Sequence, residues 1–295
     1  MAGQPLPASS MAGDKPIWLL TNSRSGSNSD RSVKVLEGTF RESGFVIDRR
    51  IAFPDEELPT AQDLDSAAVP MLAVFTGDGT LNAAITRLGG WDGQVLVLPG
   101  GTMNLLSRRL HGPDATPELI IDRISSGAYR SVRPATAHCE KGVALAGLLA
   151  GPGCRWASVR EAMRDFDLPA MAEGAGDAIA ETTGSTMVRV ASPALGRENG
   201  YPLIEFTPSH RGMQLDAFHA EGTGEILQQS WALLRRNFRD GPHTRLGLVD
   251  EVTLETCDGK PLDILIDGEA TTLPAKATFT VAPCEVDLLA THHGY

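Results

Sequence analysis

Two glycine-rich turns, one strand–helix step apart, constrain this chain more than any other feature. Thr76-Gly77-Asp78-Gly79-Thr80-Leu81-Asn82 follows an apolar run at 71–75, and Pro99-Gly100-Gly101-Thr102-Met103-Asn104 follows another at 94–98. Each run reads as a strand, and each turn leads into a helical pattern. Strand, glycine turn and helix, twice in succession, require a parallel sheet with helices on both faces. Glycines at the strand ends let backbone N–H groups point into one concavity, and the helix N-termini add the positive end of a dipole. Such a crevice suits phosphate, so the chain reads as one that handles a nucleotide.

The first half continues the alternation. A strand is expected at 17–21, then an amphipathic helix at 32–43 with Val33, Leu36 and Phe40 inward, stopped by Gly44. A strand at 45–51 and a short helix at 60–68 precede Pro70. Further helices are expected at 81–88, 103–110 and 116–125, the last with Thr116 as N-cap and Pro117 at its first position. After about residue 137 the period changes to two. Alternating runs at 187–191, 203–206, 213–218, 251–255, 262–266, 277–281 and 286–289 read as an antiparallel sandwich or barrel. Helical patterns at 158–166 and 225–238 interrupt it, and the smooth apolar stretch 143–150 reads as one buried strand. The expected organisation is a loose tail at 1–13, a Rossmann-like α/β domain at 14–137, and a mainly antiparallel β-sandwich domain at 138–295, with a cleft between the domains.

Composition narrows the partners. A net charge of −11 argues against nucleic acid. It also weakens bulk attraction to anionic lipid, although Arg108-Arg109 and the group Arg235, Arg236 and Arg239 are local basic clusters. No stretch approaches the ~20 apolar residues that span a bilayer, and the N-terminus lacks the pattern of a secretion signal. Cys139, Cys154, Cys257 and Cys284 are scattered without a CxxC pair and read as reduced core thiols of a cytoplasmic protein. The seven histidines show no metal-ligand spacing.

Asp78 carries the sharpest chemistry. An acid among phosphate-binding amides repels phosphate, but it can hold Mg²⁺ between phosphates or take a proton from an attacking hydroxyl. A plain Asp-Gly turn is the blander reading. Thr80 and Thr102 place hydroxyls at the helix starts, as phosphate contacts or as ordinary caps. Two further elements stand out. Asn22-Ser23-Arg24-Ser25-Gly26 follows the first strand, at a carboxyl end where ligands bind. Ile266-Asp267-Gly268-Glu269 reads, on pattern alone, as a hairpin turn.

Together these four elements resemble the diacylglycerol kinase catalytic-domain family, which includes bacterial lipid kinases, sphingosine kinases and ceramide kinases. The family's Gly-Gly-Asp-Gly-Thr-x-Asn is matched at residues 76–82 and its Pro-Leu-Gly-Thr-x-Asn-Asp at 99–104. Its Asn-Pro-x-Ser-Gly is echoed by Asn22, Ser25 and Gly26, and its late Asp-Gly-Glu stands at 267–269. The resemblance covers residues from about 15 to 289. The first motif is shared with NAD kinases; the ordered set of four is the specific signal.

The resemblance implies phosphoryl transfer from ATP, with Mg²⁺, to a lipid hydroxyl of diacylglycerol, phosphatidylglycerol or sphingoid type. It implies nucleotide contacts from Asn22, Ser25, Gly26, Thr76, Gly77, Asp78, Gly79, Thr80, Leu81, Asn82, Gly100, Gly101, Thr102 and Asn104, with Asp78 on the metal. Glu269 is the implied proton acceptor, with Asp78 as the alternative base. A lipid substrate implies transient docking at the inner face of a membrane. The chain departs from the family at Thr76, where a glycine is usual, and at Ala83, Leu105 and Arg211, where acids are usual. Arg211 cannot ligate a cation, so a second, structural metal is not expected. The missing acids keep a second reading open, a lipid- or nucleotide-binding regulator without turnover, and the shared first motif keeps an NAD kinase-like enzyme as a third.

Overall fold

The computed structural model describes residues 16–25, 29–155, 187–218 and 243–292. The tail at 1–13, Gly26, the helical patterns at 158–166 and 225–238, and Arg235, Arg236 and Arg239 lie outside the described residues. Contacts divide the chain into two units, Met1–Pro134 with Cys284–Tyr295, and Ala135–Pro283.

In the first unit, β1 (Pro16–Asn22), β2 (Val46–Phe53), β3 (Met71–Thr76) and β4 (Gln94–Pro99) run parallel in the order β2-β1-β3-β4. Every residue of β3 is buried. A parallel strand covered on both faces needs an unbroken apolar run, and Met71-Leu72-Ala73-Val74-Phe75 supplies it. Helix α1 (Asp30–Glu42) begins where the Ser29 hydroxyl accepts from the Ser32 amide, and it ends before Gly44 at φ +82°. Its stripe of Val33, Leu36 and Phe40 is buried as the spacing demands. Those side chains pack with Leu19, Ala73 and Leu96 of the sheet and with Ile120, Ile121 and Ile124 of α5 (Pro117–Ser125). The outer strand β2 carries a register irregularity beside Asp48 and a run of charges, Asp48, Arg49 and Arg50. Both features discourage a further strand from pairing there.

The far side of the sheet differs from the sequence reading. The run at 286–289, expected in the sandwich, forms β17 (Asp287–Ala290) in the first unit. It pairs parallel with β4 and antiparallel with β5 (Arg130–Val132). The chain therefore returns to its first sheet, and the second unit ends at Pro283 rather than at the C-terminus. Leu288, Leu289 and Ala290 are all buried, which marks a strand covered on both faces rather than a half-solvated one.

The second unit holds two antiparallel sheets. One has the order β12 (His243–Val249), β11 (Gly212–Phe218), β10 (Leu203–Ser209), β8 (Leu148–Ala150), β14 (Leu262–Ile266) and β15 (Glu269–Leu273). The other runs β7 (Gly142–Ala144), β6 (Ala135–Cys139), β16 (Lys276–Pro283), β13 (Glu251–Thr256) and β9 (Val188–Ser192). Their facing side chains share one core, in which Phe206 of β10 meets Phe279 of β16 at 4.8 Å between ring centres. The alternation read from sequence is the alternation observed: Met213, Leu215 and Ala217 face inward along β11.

The apolar stretch 143–150 is not one strand. It is cut into β7 and β8, which belong to different sheets, by residues 145–147. Hydrophobicity alone does not show the cut, at which the backbone amides turn to a carboxylate more than a hundred residues later. Among the described residues no helix is long and apolar enough to cross a membrane. Burial pushes the thiols of Cys154 and Cys284 up from the usual range, as expected of core cysteines, whereas Cys139 is half-buried and Cys257 is exposed, so the core reading does not hold for those two.

Candidate functional site

The two glycine turns touch. Register places Phe75 beside Leu98 and Thr76 beside Pro99, so β3 and β4 end together and their turns leave side by side. The contact is backbone on backbone. A Cβ on Gly101 would stand 2.6 Å from the Gly77 Cα, and one on Gly100 would stand 2.5 Å from the Thr76 amide nitrogen. Glycine is required here by close approach, since no side chain fits between the turns.

The turn after β1 joins them. Its Asn22 Oδ1 accepts from the Arg24 amide at 2.9 Å, and its Nδ2 donates to the Thr80 hydroxyl at 2.8 Å. The Ser25 hydroxyl donates to the Gly100 carbonyl at 2.9 Å. Three strand-end turns, 22–25, 76–80 and 99–104, thus form one hydrogen-bonded assembly. This is the carboxyl edge of the parallel sheet, where open α/β folds bind ligands.

Asp78 opens α3 (Asp78–Arg87), which starts three residues earlier than its apolar pattern suggests. Gly77 is its N-cap and supplies no side-chain cap. Asp78 in the first turn complements the positive helix end. Its Oδ1 accepts from the Leu105 amide at 2.9 Å, at the start of α4 (Leu105–His111). The acid of the first turn therefore also satisfies an amide of the helix that follows the second turn.

The predicted nucleotide contacts divide into two kinds. Thr76 is buried and its hydroxyl donates to the Gly77 carbonyl at 3.1 Å, so this departure from glycine is absorbed inside the turn. Asn104 sits at φ +52°, ψ +43° and forms a closed clasp with Gly101. The Gly101 amide donates to its Oδ1 at 2.7 Å, and its Nδ2 donates to the Gly101 carbonyl at 2.8 Å. Leu81 is buried against the first unit's interior, and its amide donates to the Gly77 carbonyl. These residues shape the turns. Gly77, Asp78, Gly79, Thr80 and Asn82 are partly exposed, Gly100 is buried, and Thr102 is exposed at the tip of the second turn. Thr80 and Thr102, with the leading amides of α3, are the hydrogen-bonding groups on this edge that suit an anion.

In the second unit, Asp267 and Gly268 form the two-residue turn between β14 and β15, at φ +48° and +97°. Such positive values are what a tight hairpin needs, so the hairpin reading of this motif holds. Glu269 is the exposed first residue of β15. Asp267 is buried, and its carboxylate takes the amides of Leu145 and Ala146 at 2.8 Å and of Gly147 at 3.0 Å. Its own amide donates back to the Gly147 carbonyl at 3.1 Å. Neither this clasp nor the Leu105 amide was legible in sequence. The sequence shows only an Asp-Gly pair between two strand runs, which signals the turn and not the clasp.

Ala83 is exposed on α3, and Arg211 is exposed in the β10–β11 hairpin, where its amide donates to the Ser209 hydroxyl. Among the described residues no group of three or more His, Cys, Asp or Glu side chains is placed to hold a metal.

Residues 16–137 match the family model described as the diacylglycerol kinase catalytic domain. No curated protein matches the chain. Among solved structures, a diacylglycerol kinase from Bacillus anthracis str. Sterne aligns over 94% of this chain and 97% of its own, at 14% identity and a TM-score of 0.61. A second chain from that strain, a candidate diacylglycerol kinase by name, aligns over 95% and 99%, at 15% identity and a TM-score of 0.59. At such identity these neighbours establish the fold, an α/β unit with a parallel sheet followed by antiparallel sheets. The sequence match is to the first part of the chain, where residues 16–137 resemble the diacylglycerol kinase catalytic domain.

Proposed function

We propose that this chain is an ATP-dependent lipid kinase that transfers a phosphoryl group to the hydroxyl of a diacylglycerol-like, phosphatidylglycerol or sphingoid acceptor. One observation carries the reading: two glycine turns in backbone contact, with Asp78 at the head of α3 bonded across to α4. The family match over residues 16–137 supports it.

In this reading the leading amides of α3 and the Thr80 and Thr102 hydroxyls bind the phosphates. Asp78 offers a hard carboxylate oxygen and is the residue that would hold Mg²⁺. Magnesium supplies neutralisation of the charge on the phosphates. Asn22 and Ser25 hold the three turns in register, which matters because phosphoryl transfer depends on positioning and charge neutralisation. Glu269 takes the proton of the acceptor hydroxyl. The acceptor oxygen forms a bond to the γ-phosphorus, the bond from that phosphorus to the β–γ bridging oxygen breaks, and ADP leaves. The lipid is drawn from the inner face of a membrane by a cytoplasmic protein, with Arg108 and Arg109 as the docking cations.

The test is incubation of the purified protein with Mg²⁺, ATP and vesicles containing the three acceptor classes, followed by lipid mass analysis. A product heavier by one phosphoryl group, present with wild type and absent with Asp78→Ala, is expected. No Asp78-dependent lipid product, with tight ATP binding, identifies a regulator without turnover. Phosphorylation of NAD in its place identifies an NAD kinase-like enzyme.

A further inference from the structure

We propose that Asp267 is a positioning residue that acts through Glu269, holding the head of β15 by anchoring residues 145–147. The inference rests on the reading of Glu269 as the proton acceptor. Four hydrogen bonds join the two segments. Both carboxylate oxygens of Asp267 are used: Oδ2 by the Leu145 amide, Oδ1 by the amides of Ala146 and Gly147. The Asp267 amide closes the loop on the Gly147 carbonyl.

The placement gives these bonds leverage. Residues 145–147 are the crossing between the two sheets of the second unit, since β7 lies in one and β8 in the other. β8 pairs with β14, with Leu148 beside Ile266, and Ile266 in turn stands beside Glu269. The crossing, the end of β14 and the start of β15 therefore meet at one carboxylate. Among the described residues β15 is the outer strand of its sheet and pairs on one side only, with β14. An outer strand that begins at an exposed residue frays first. The turn that precedes it is fixed by a buried acid that three amides hold in place.

An ordinary hairpin has no need of this. Asn-Gly and Asp-Gly turns form with the side chain in solvent, and the positive φ alone accounts for the residue choice. Burial of the carboxylate is the additional feature, and a buried charge is retained when hydrogen bonds compensate it. The acid's neighbour two residues on is the group whose position the proposed reaction requires.

Asp267→Asn tests the inference, because asparagine tolerates the same backbone conformation yet keeps one acceptor oxygen only and turns its NH₂ toward at least one amide that needs an acceptor. Three measurements are made on the full chain: kcat and KM with MgATP and lipid vesicles, the same in a Glu269→Gln background, and amide hydrogen exchange across 143–150. Expected are a fall in kcat of at least tenfold with KM for ATP unchanged, faster exchange at 145–147, and no further loss when Asp267→Asn is added to Glu269→Gln. Equal loss in both backgrounds shows a general structural role and overturns the inference. So does unchanged exchange at 145–147, or full activity of Asp267→Asn. If wild type turns over lipid but Glu269→Gln is as active, the base assignment fails, and the inference fails with it. Absence of any wild-type turnover overturns the kinase reading itself, a result distinct from all of these.

Discussion

The carboxylate of Asp78 accepts a hydrogen bond from the Leu105 amide at 2.9 Å, joining the first residue of α3 to the first residue of α4. The bond needs only the backbone of Leu105, so the loss of the acid usual at that position leaves it intact. Asp78 therefore has a structural duty as well as its proposed chemical one, and the two can be separated.

Asp78→Asn retains an acceptor for the Leu105 amide and removes the charge. Asp78→Ala removes both. Turnover is expected to fall at least a hundredfold in each, while the alanine variant loses more stability, about 1–3 kcal/mol, the cost of leaving the Leu105 amide without an acceptor. Urea unfolding alongside lipid phosphorylation separates the effects.

Gly101→Ala forces a methyl to within 2.6 Å of the Gly77 Cα. The turns must part, and nucleotide-dependent thermal stabilisation is expected to disappear. Gly38→Ala is the contrasting control. Gly38 lies inside α1 with open space around it, so alanine there should stabilise by about 0.5–1 kcal/mol and leave nucleotide binding unchanged.

Asn104→Ala breaks both bonds of the Gly101 clasp and leaves a β-carbon residue at φ +52°. Asn104→Gly breaks the same bonds without the conformational cost. The alanine variant is expected to unfold more easily than the glycine variant by about 1 kcal/mol, the cost of the left-handed conformation. Both should bind ATP more weakly than wild type by calorimetry.

His111 titrates against the fold. It is 1% exposed, its Nδ1 lies 3.0 Å from the Thr291 hydroxyl, and its Nε2 is buried. Burial holds its pKa down to about 4, against 6.5 for a free imidazole; the Val97 backbone opposes the shift and the Arg123 charge adds to it. Between those values the unfolded chain binds a proton that the folded chain refuses. Stability from this group is therefore complete above pH 6.5 and falls with pH, by about 3 kcal/mol in all once the pH is below 4. Asp and Glu titration overlaps the lower part of that window. Comparison of urea midpoints from pH 7.5 to 5 for wild type and His111→Gln should show the slope in wild type and its reduction in the variant.

Local pattern was enough for the parallel sheet, the α1 stripe of Val33, Leu36 and Phe40, and the inward alternation of β11. Each depends on a period of 3.6 or 2 that is written in consecutive residues. The glycine turns were legible for the same reason, since a strand end, a glycine and a helix start are neighbours in the chain. Close approach of Gly77 and Gly101 follows from adjacent parallel strands of equal reach.

Tertiary structure alone decided what depends on distant partners. The stretch 143–150 reads as one strand until a carboxylate 120 or more positions away takes its amides. The run at 286–289 reads as sandwich until β4 offers an unpaired edge. Asp78 and Asp267 both sit in Asp-Gly turns that look alike in sequence. One is partly exposed at a helix head, and the other is buried among three amides. Hydrophobic period is a property of the chain, whereas the partner of a carboxylate or an open strand edge is a property of the folded molecule.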